Sequence, residues 1–297
     1  MKAGTFDDVL DRVSAGESLR ADEIEQLATA HDILSLGTLA DVTRRRLHGN
    51  QVTYVRVARC AFDSVPDMVS SAAREVRITG APAALDVAVT ATQAAKAVAG
   101  PHAVSGFSWA DIERFASGGG MTVSQVLADL RAAGLDSLAE IPLDGVSNID
   151  AAIDCVTHAG FHQLRVTVEK ASAGERTALL LRAAALQQRF GSIQAISPLP
   201  MVLNTLEPTT GYDDVRAVAI ARLAAPNISS IQVDWLRYGP KLAQVALIFG
   251  ADDVDEVTAS DEAPDGRRRA PLEEVRRGIE AAGFSPVERD GRFQVIA

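Results

Sequence analysis

The sequence predicts an α/β protein built as a parallel (βα) TIM-type barrel, either closed or nearly closed. The first observation is the alternation of seven strand-like segments with segments of helical periodicity, which is the pattern of repeated βαβ units. The second is the stretch 211–257, where an amphipathic helix, an alternating strand and a second helix follow one another between proline and glycine boundaries. A doubly wound open sheet is the alternative arrangement of the same units.

The chain is long and apolar enough for a large core, and its charge limits what it binds. Of its 297 residues, 47% are hydrophobic, which suits one barrel as well as two ordinary domains. A net charge of −10 argues against nucleic acid or an anionic membrane as a partner, because phosphate neutralisation needs clustered Lys and Arg. No apolar run approaches the ~20 residues of a membrane span, and the amino terminus is acidic. We therefore expect a cytoplasmic protein without a signal peptide.

Three regions are predicted along the chain. They are a helical preface (1–50), the barrel (51–257) and a carboxy-terminal extension (258–297). In the preface, Asp32 is expected to cap a helix that ends at Gly49. The extension is predicted to contain a helix at 272–282 and a hairpin at 286–296, with the turn at Asp290-Gly291.

Strand and helix signals alternate through the barrel region. Short β-branched or alternating segments predict strands at 52–57, 76–79, 102–106, 138–141, 164–168, 193–196 and 230–235. Helical spacing with capping, proline or glycine boundaries predicts helices near 67–73 and at 82–98, 108–117, 122–134, 149–159, 172–190, 211–225 and 240–250. Two capping boxes support these boundaries, Thr122 with Gln125 and Ser172 with Glu175.

Four sequence blocks resemble one enzyme family. They are ILSLGTLADVTRRRLHG (33–49), VSQVLADLRAAGLDSL (123–138), IQVDWLRYGPKLAQVALIFGADDVD (231–255) and IEAAGFSPVERD (279–290). The family is that of the radical S-adenosylmethionine enzymes of the futalosine route to menaquinone, aminofutalosine synthase and dehypoxanthine futalosine cyclase, with their deazaflavin-synthase relatives. The resemblance implies a radical-SAM-like barrel, partial or complete, with its site at the carboxyl ends of the strands.

The chain departs from this family at the cofactor motif. Members carry CxxxCxxC after the first strand, and its three thiolates hold a [4Fe-4S] cluster that binds S-adenosylmethionine. Here VTYVRVARCAFDSV stands in that place, so Cys60 is a lone remnant and the other cysteine, Cys155, lies on a predicted distant helix. One thiolate cannot hold a cluster that needs three or four ligands. We therefore expect both family cofactors to be lost, with no metal site.

Further departures affect the loops that line the family's cavity. Where members present two adjacent glycines after the second strand, this chain has Gly80 followed by Ala81, so Gly80 is a vestige of the S-adenosylmethionine site. A glycine-rich loop before Glu140 is deleted, although this carboxylate matches the family. Glu169 and Lys170 replace an expected glycine and histidine. Together these changes predict that the radical chemistry has been abandoned.

Glu140 and Glu169 are the candidate catalytic residues, because carboxylates at strand ends in a barrel suit acid–base work. The structural alternative is a solvated rim, or an ion pair with Lys170 that closes a disused cavity. We prefer that alternative on sequence alone.

Other polar residues have a structural interpretation that we prefer. His158 and His162 have metal-binding spacing, but Gly160 between them predicts that they diverge. Cys155 is interpreted as a small buried hydrophobe rather than a nucleophile. The aspartates of the ADDVD motif, Asp252, Asp253 and Asp255, are expected to form structural hydrogen bonds, with ligand contact as the alternative. The basic runs 44–46 and 267–269 are expected to be solvated faces, with a docking patch as the minority interpretation.

Three functions remain open. The first is a cluster-free homologue, a pseudoenzyme of menaquinone biosynthesis, that binds a small polar metabolite or assists an active radical S-adenosylmethionine homologue. The second is a non-radical enzyme that acts on a futalosine-like or chorismate-derived substrate, with Glu140 or Glu169 as acid or base. The third is a structural subunit. A barrel centre filled by large side chains argues against binding and catalysis, whereas an open centre with convergent carboxylates favours an enzyme.

Overall fold

The computed structural model describes residues 6–202, 205–266 and 268–296, and its centre is a closed ring of eight parallel strands. The strands are β1 (Gln51–Ala61), β2 (Glu75–Thr79), β3 (Ala103–Ser108), β4 (Ser137–Pro142), β5 (Leu164–Val168), β6 (Ile193–Pro200), β7 (Ser230–Asp234) and β8 (Asp253–Thr258). Pairing of β1 with β2, from Val57↔Glu75 to Ala61↔Thr79, closes the ring. The predicted TIM-type barrel is therefore confirmed, and the open sheet is wrong.

Helices surround the barrel, and one short strand follows it. The helices are α1 (Phe6–Ala15), α2 (Ala21–Thr29), α3 (Ile33–His48), α4 (Leu85–Ala99), α5 (Trp109–Gly119), α6 (Val123–Ala133), α7 (Ile149–His158), α8 (Ala173–Phe190), α9 (Gly211–Ala224), α10 (Trp235–Ile248) and α11 (Pro271–Ala281), and the strand is β9 (Ser285–Glu288). Apolar side chains fill the layer between helices and strands. None of the helices in the described ranges is both long and apolar enough to cross a bilayer.

The predicted helix starts are confirmed by their capping bonds. Asp32 accepts hydrogen bonds from the backbone N–H groups of Leu34 and Ser35, each at 3.1 Å. In the box at Thr122, the hydroxyl accepts from the Gln125 N–H at 3.2 Å, and the Gln125 side chain accepts from the Thr122 N–H at 2.8 Å. These bonds satisfy amide groups that the first helical turn leaves without partners.

One helix prediction in the barrel is wrong. Residues 67–73 form turns, because Ser70 accepts the N–H of Ala72 on its hydroxyl and that of Ala73 on its carbonyl, at 3.2 and 3.0 Å. The helix start predicted at Pro240 is confirmed, because Gly239, with a φ of 75°, is non-helical and separates the main part of α10 from a first turn that begins at Trp235.

The eighth strand, β8, was not predicted, because its acidic residues obscure the alternation of apolar and polar side chains that indicates a strand. Asp253, Asp255 and Glu256 give the segment the composition of a loop. In the structure Val254 and Val257 are fully buried against the helices, while Asp253 and Asp255 face the barrel interior and pair with arginines. The strand is thus stabilised by partners that come from elsewhere in the sequence.

The carboxy-terminal segment closes the amino end of the barrel. β9 pairs in parallel with the first half of β1, from Gln51↔Ser285 to Tyr54↔Glu288. The predicted hairpin is confirmed in a short form. The chain turns after Asp290 and pairs antiparallel at Arg289↔Val295, and the N–H groups of Asp290 and Ile296 donate to the carbonyls of Gln294 and Glu288 at 2.8 and 2.9 Å. We call residues 289–293 the tail plug. Its Gly291 lies so close to the start of β2 that an added Cβ would meet the Glu75 side chain at 2.9 Å.

Candidate functional site

A buried ion network fills the barrel centre. Glu75 accepts hydrogen bonds from Arg165 at 2.6 Å, Arg77 at 2.8 Å and the Ser105 hydroxyl at 2.5 Å. Arg77 also binds Asp255 at 2.9 Å. Burial alone would raise the pKa of Glu75, but the charges of Arg165 and Arg77 outweigh it and hold the pKa at about 2.

The lower half of the network involves the tail plug. Arg289, 1% exposed, donates from Nε and Nη2 to the two carboxylate oxygens of Asp253, both at 2.6 Å. Gln232 and Thr53 donate to the same carboxylate at 2.7 and 2.5 Å. The ring of Phe293 lies 4.0 Å from the Arg289 guanidinium. Side chains therefore fill the amino end of the barrel, and the buried carboxylate of Asp253 is paired with a guanidinium there.

A cavity of about 340 Å³ opens above this network, at the carboxyl ends of the strands. It is lined by Arg59, Arg77, Ile78, Thr79, Gly80, Ala81, Phe107, Ser108, Asp111, Ala139, Glu140, Arg165, Thr167, Ser197, Met201, Gln232, Asp234, Arg237, Asp255 and Glu256. We call it the mouth cavity. Parallel barrels place their chemistry at this end, because the strand ends and the following loops converge there.

The structure places Glu140 in the wall of the mouth cavity and Glu169 outside its lining. Burial raises the pKa of Glu140, and the negative charge of nearby Glu169 adds to the effect. Glu169 follows β5 and donates its backbone N–H to Asp144 at 2.6 Å. The same aspartate accepts from the Lys170 N–H at 2.9 Å and so organises the loop before α8. Of the two predicted catalytic residues, only Glu140 faces the cavity.

Gly80 also lines the mouth cavity. Its φ is 70°, and an added Cβ would meet the ring of Phe62 at 3.2 Å, so the position favours glycine on both counts. The backbone here approaches the cavity without a side chain between them.

Cys60 lies on β1 but does not line the mouth cavity. It borders a separate pocket of about 330 Å³ with Pro66, Met68 and Val69. Burial raises the pKa of its thiol, which is the opposite of what a thiolate ligand requires. Cys155 is half-buried on α7, where its sulfur lies 3.4 Å from the Ser124 hydroxyl.

The residues present do not fit a [4Fe-4S] cluster. The whole sequence holds two cysteines, one in the barrel wall and one on an outer helix. Within 6–202, 205–266 and 268–296 there is no group of three or more His, Cys, Asp or Glu side chains that would hold a metal ion. The pair His158 and His162 adds none, because both are exposed and His158 bonds within its own helix, to the carbonyl of Asp154 at 2.8 Å.

Asp234 is the cavity residue that sequence reasoning missed. It ends β7 and caps α10 by accepting the Arg237 N–H at 2.8 Å. Burial, with the negative charge of Glu256, raises its pKa to about 6. Its position as an aspartate directly before the aromatic WLRY turn was the available signal, since strand-end carboxylates mark the mouth of a barrel.

The acidic motif at 252–255 has two roles. Asp252 is fully structural: buried, it pairs with Arg222 and accepts the Ile231 N–H at 2.8 Å. Asp253 belongs to the filled end of the barrel, whereas Asp255 lines the mouth cavity. The structural interpretation is therefore confirmed for Asp252 and Asp253, and ligand contact by Asp255 stays a prediction.

The solvated face predicted for the first basic run is wrong at Arg44. This side chain is buried, stacks 3.9 Å from the Phe284 ring and donates to the carbonyls of Gln51 and Gly49, each at 3.3 Å. Arg45 is partly exposed and pairs with Asp41 at 2.7 Å. Of the second run, Arg267 lies outside the described residues.

The fold and the site together define a TIM-type barrel protein with a polar cavity at its carboxyl end. Solved structures share this fold: HydG, a maturase of the [FeFe]-hydrogenase, superposes with a TM-score of 0.67 at 13% identity over 96% of this chain and 76% of its own. Methylornithine synthase (PylB) has a TM-score of 0.64 at 14% identity over 94% of this chain and 97% of its own.

Sequence relatives show which proteins this chain is similar to. Residues 197–297 match the CofH/MqnC C-terminal region. The chain is 27% identical to 5-amino-6-(D-ribitylamino)uracil–L-tyrosine 4-hydroxyphenyl transferase of Archaeoglobus fulgidus, over 87% of this chain and 92% of that protein. It is 25% identical to aminodeoxyfutalosine synthase of Streptomyces coelicolor, over 100% of this chain and 95% of that protein. The chain is thus similar in sequence to aminodeoxyfutalosine synthase and to the ribitylaminouracil–tyrosine transferases, which confirms the resemblance stated above.

Proposed function

We propose that this protein binds a small polar metabolite in its mouth cavity and performs no cluster-dependent radical chemistry. One observation carries the proposal: the cavity wall holds charged groups of both signs, and no cysteine is among its lining residues. Cys60, the remnant of the family motif, lies in a different pocket. A polar cavity with fixed charges suits recognition of a polar ligand, because each buried charge needs a partner.

The lengths of the sequence alignments support the proposal. The alignment with aminodeoxyfutalosine synthase of Streptomyces coelicolor runs over 373 positions, more than the 297 residues of this chain. The relative therefore carries segments that this chain lacks. The deleted loop before Glu140 and the changed loop at Glu169 would both lie at the cavity end of the barrel. Such losses are expected where loops no longer enclose a cluster and its cofactor.

The proposal also covers the pathway and the partner of this protein. By descent, the metabolite is expected to belong to menaquinone biosynthesis, and an active radical S-adenosylmethionine homologue is the expected partner if the protein assists rather than acts alone. Resemblance is the support for both statements.

A non-radical enzyme is the second candidate, and a specific observation favours it. Glu140 and Asp234 line the same cavity, and burial raises the pKa of each, that of Asp234 to about 6. A carboxyl group whose pKa is near neutrality, as that of Asp234 is, suits proton transfer. In this proposal Glu140 or Asp234 acts as acid or base on a futalosine-like or chorismate-derived substrate, and Glu169 tunes Glu140 by its charge.

Anaerobic reconstitution with iron and sulfide tests the main proposal. We expect no charge-transfer absorption from a bound cluster and no cleavage of S-adenosylmethionine to deoxyadenosine. Cys60→Ser is the matched variant and should give the same trace as the parent. A brown protein that loses its colour in Cys60→Ser, or that cleaves the cofactor, would overturn the proposal.

A further inference from the structure

Two side chains at the floor of the mouth cavity have polar atoms without partners. Arg165 and Thr167 are two residues apart on β5, so they lie on the same face of the strand. Both line the cavity, at 2% and 3% exposure. Among the described residues, Arg165 Nε and Thr167 Oγ1 have no hydrogen-bond partner. Buried donors of this kind are rare, because native structures pair them or use them to bind a ligand.

The ion network explains why Arg165 has a donor to spare. Its Nη1 and Nη2 donate to the two oxygens of Glu75 at 3.0 and 2.6 Å, which fixes the guanidinium and leaves Nε outside that pair. Nε is only a donor, and the Thr167 hydroxyl is able to donate as well. The two groups together therefore suit an acceptor oxygen of a ligand.

The balance of charges in the cavity determines which charge the ligand carries. Arg165 is already neutralised by Glu75, so the floor offers hydrogen bonds without a surplus positive charge. In the wall, Arg237 lies 3.4 Å from Asp234 and Arg59 lies 3.7 Å from Glu256. Glu140, by contrast, has no salt bridge with any described residue, although the positive charge of Arg237 offsets part of the burial that raises its pKa. The lining holds five carboxylates and four arginines, so its surplus charge is negative. A cation complements such a wall, and an anion does not.

We propose, on the basis of the binding function above, that the ligand is a small amine carrying an acceptor oxygen. The oxygen accepts from Arg165 Nε and Thr167 Oγ1, and the ammonium group pairs with Glu140. Both ends of the ligand thereby satisfy groups that the protein leaves without a partner.

Three sugars of one size and different charge test the ligand class: glucosamine, glucose and glucuronate, titrated by calorimetry at neutral pH. We expect glucosamine to bind tightest and glucuronate weakest. Thr167→Val, which keeps the side-chain shape, should weaken glucosamine about 3- to 10-fold, the range for one hydrogen bond. Thr90→Val, on the exposed face of α4, is the matched control and should change nothing. Glu140→Gln should remove the preference for glucosamine over glucose while both sugars still bind.

The remaining outcomes separate this inference from the function on which it rests. Glucose or glucuronate binding tighter than glucosamine overturns the amine class and leaves polar-metabolite binding standing. Unchanged glucosamine affinity in Thr167→Val overturns the assignment of the oxygen subsite. Absence of binding by all three sugars up to about 10 mM overturns both proposals.

Discussion

The two ends of the barrel are both rich in charge, but they differ in how that charge is paired. At the amino end, Asp253 receives donors from Arg289, Gln232 and Thr53, all within 2.7 Å. At the carboxyl end, Glu140 has no salt bridge with the described residues, and the pKa of Asp234 is raised to about 6. The paired carboxylate at the amino end stabilises the fold, whereas the carboxylates at the carboxyl end, which have fewer partners in the protein, are available to bind a ligand.

The largest effect is expected where the paired end is broken. Arg289→Met leaves the buried Asp253 carboxylate without its counter-ion, which should lower the free energy of unfolding by about 3–5 kcal/mol. Arg292→Met is the control: its guanidinium pairs with Asp136 at 3.1 Å but is 36% exposed, so a change below about 1 kcal/mol is expected. Denaturant unfolding measures both. Equal losses in the two variants would contradict the distinction between paired core and surface.

Acid should lower the stability that the buried ion network around Glu75 contributes. The pKa of Glu75 falls from its ordinary 4.5 to about 2 in the folded protein, so the stability it contributes is present above pH 4.5 and is lost as pH falls toward 2. The loss should be on the order of 1–3 kcal/mol, measured as the free energy of unfolding against pH. Glu75→Gln should flatten this part of the curve. A parent curve that stays level from pH 4.5 to 2.5 would contradict the role of the network.

The contribution of the mouth cavity to stability should change with pH in the opposite direction to that of Glu75. The pKa of Asp234 is raised from 3.8 to about 6, so its ionisation destabilises the fold as pH rises through that interval. Asp234→Asn keeps a helix-capping side chain and removes the charge, and it should stabilise the protein by about 1 kcal/mol at pH 7 relative to pH 4.

Asp213→Asn provides the comparison for Asp234→Asn. Hydrogen bonds from Thr210 lower the pKa of Asp213, so the same substitution at the start of α9 should destabilise at pH 7. Thermal melts at the two pH values measure each effect, and the same sign for both variants would contradict the assignment.

Local signals in the sequence were sufficient for most of the fold. Asp32, the box at Thr122 and the glycine at Gly134 each act within one helix turn, so their roles follow from their neighbours in sequence. β8 could not be found in this way. Its carboxylates are paired by Arg77 and Arg289, which lie far from it in the sequence, so no local window records that they are buried.

The candidate site was predictable in part for the same reason. Glu140 lies near the carboxyl end of β4 and Gly80 follows β2, and a parallel barrel brings such positions together, so both lie in the cavity wall. Glu169 also follows a strand, but Asp144 holds its loop through backbone bonds, and the residue lies outside the lining. The spare donors of Arg165 and Thr167 depend on which atoms Glu75 already occupies, and only three-dimensional contacts give that information.

The tail plug also bears on how the protein is made. Arg289 is translated after every strand of the ring, yet it supplies the counter-ion for Asp253 at the ring's centre. While the nascent chain still holds residues 285–293 inside the ribosome, all eight strands have been synthesised but the central carboxylate has no guanidinium. Completion of this barrel is therefore expected to wait until residues 285–293 have left the ribosome, rather than to proceed strand by strand during translation.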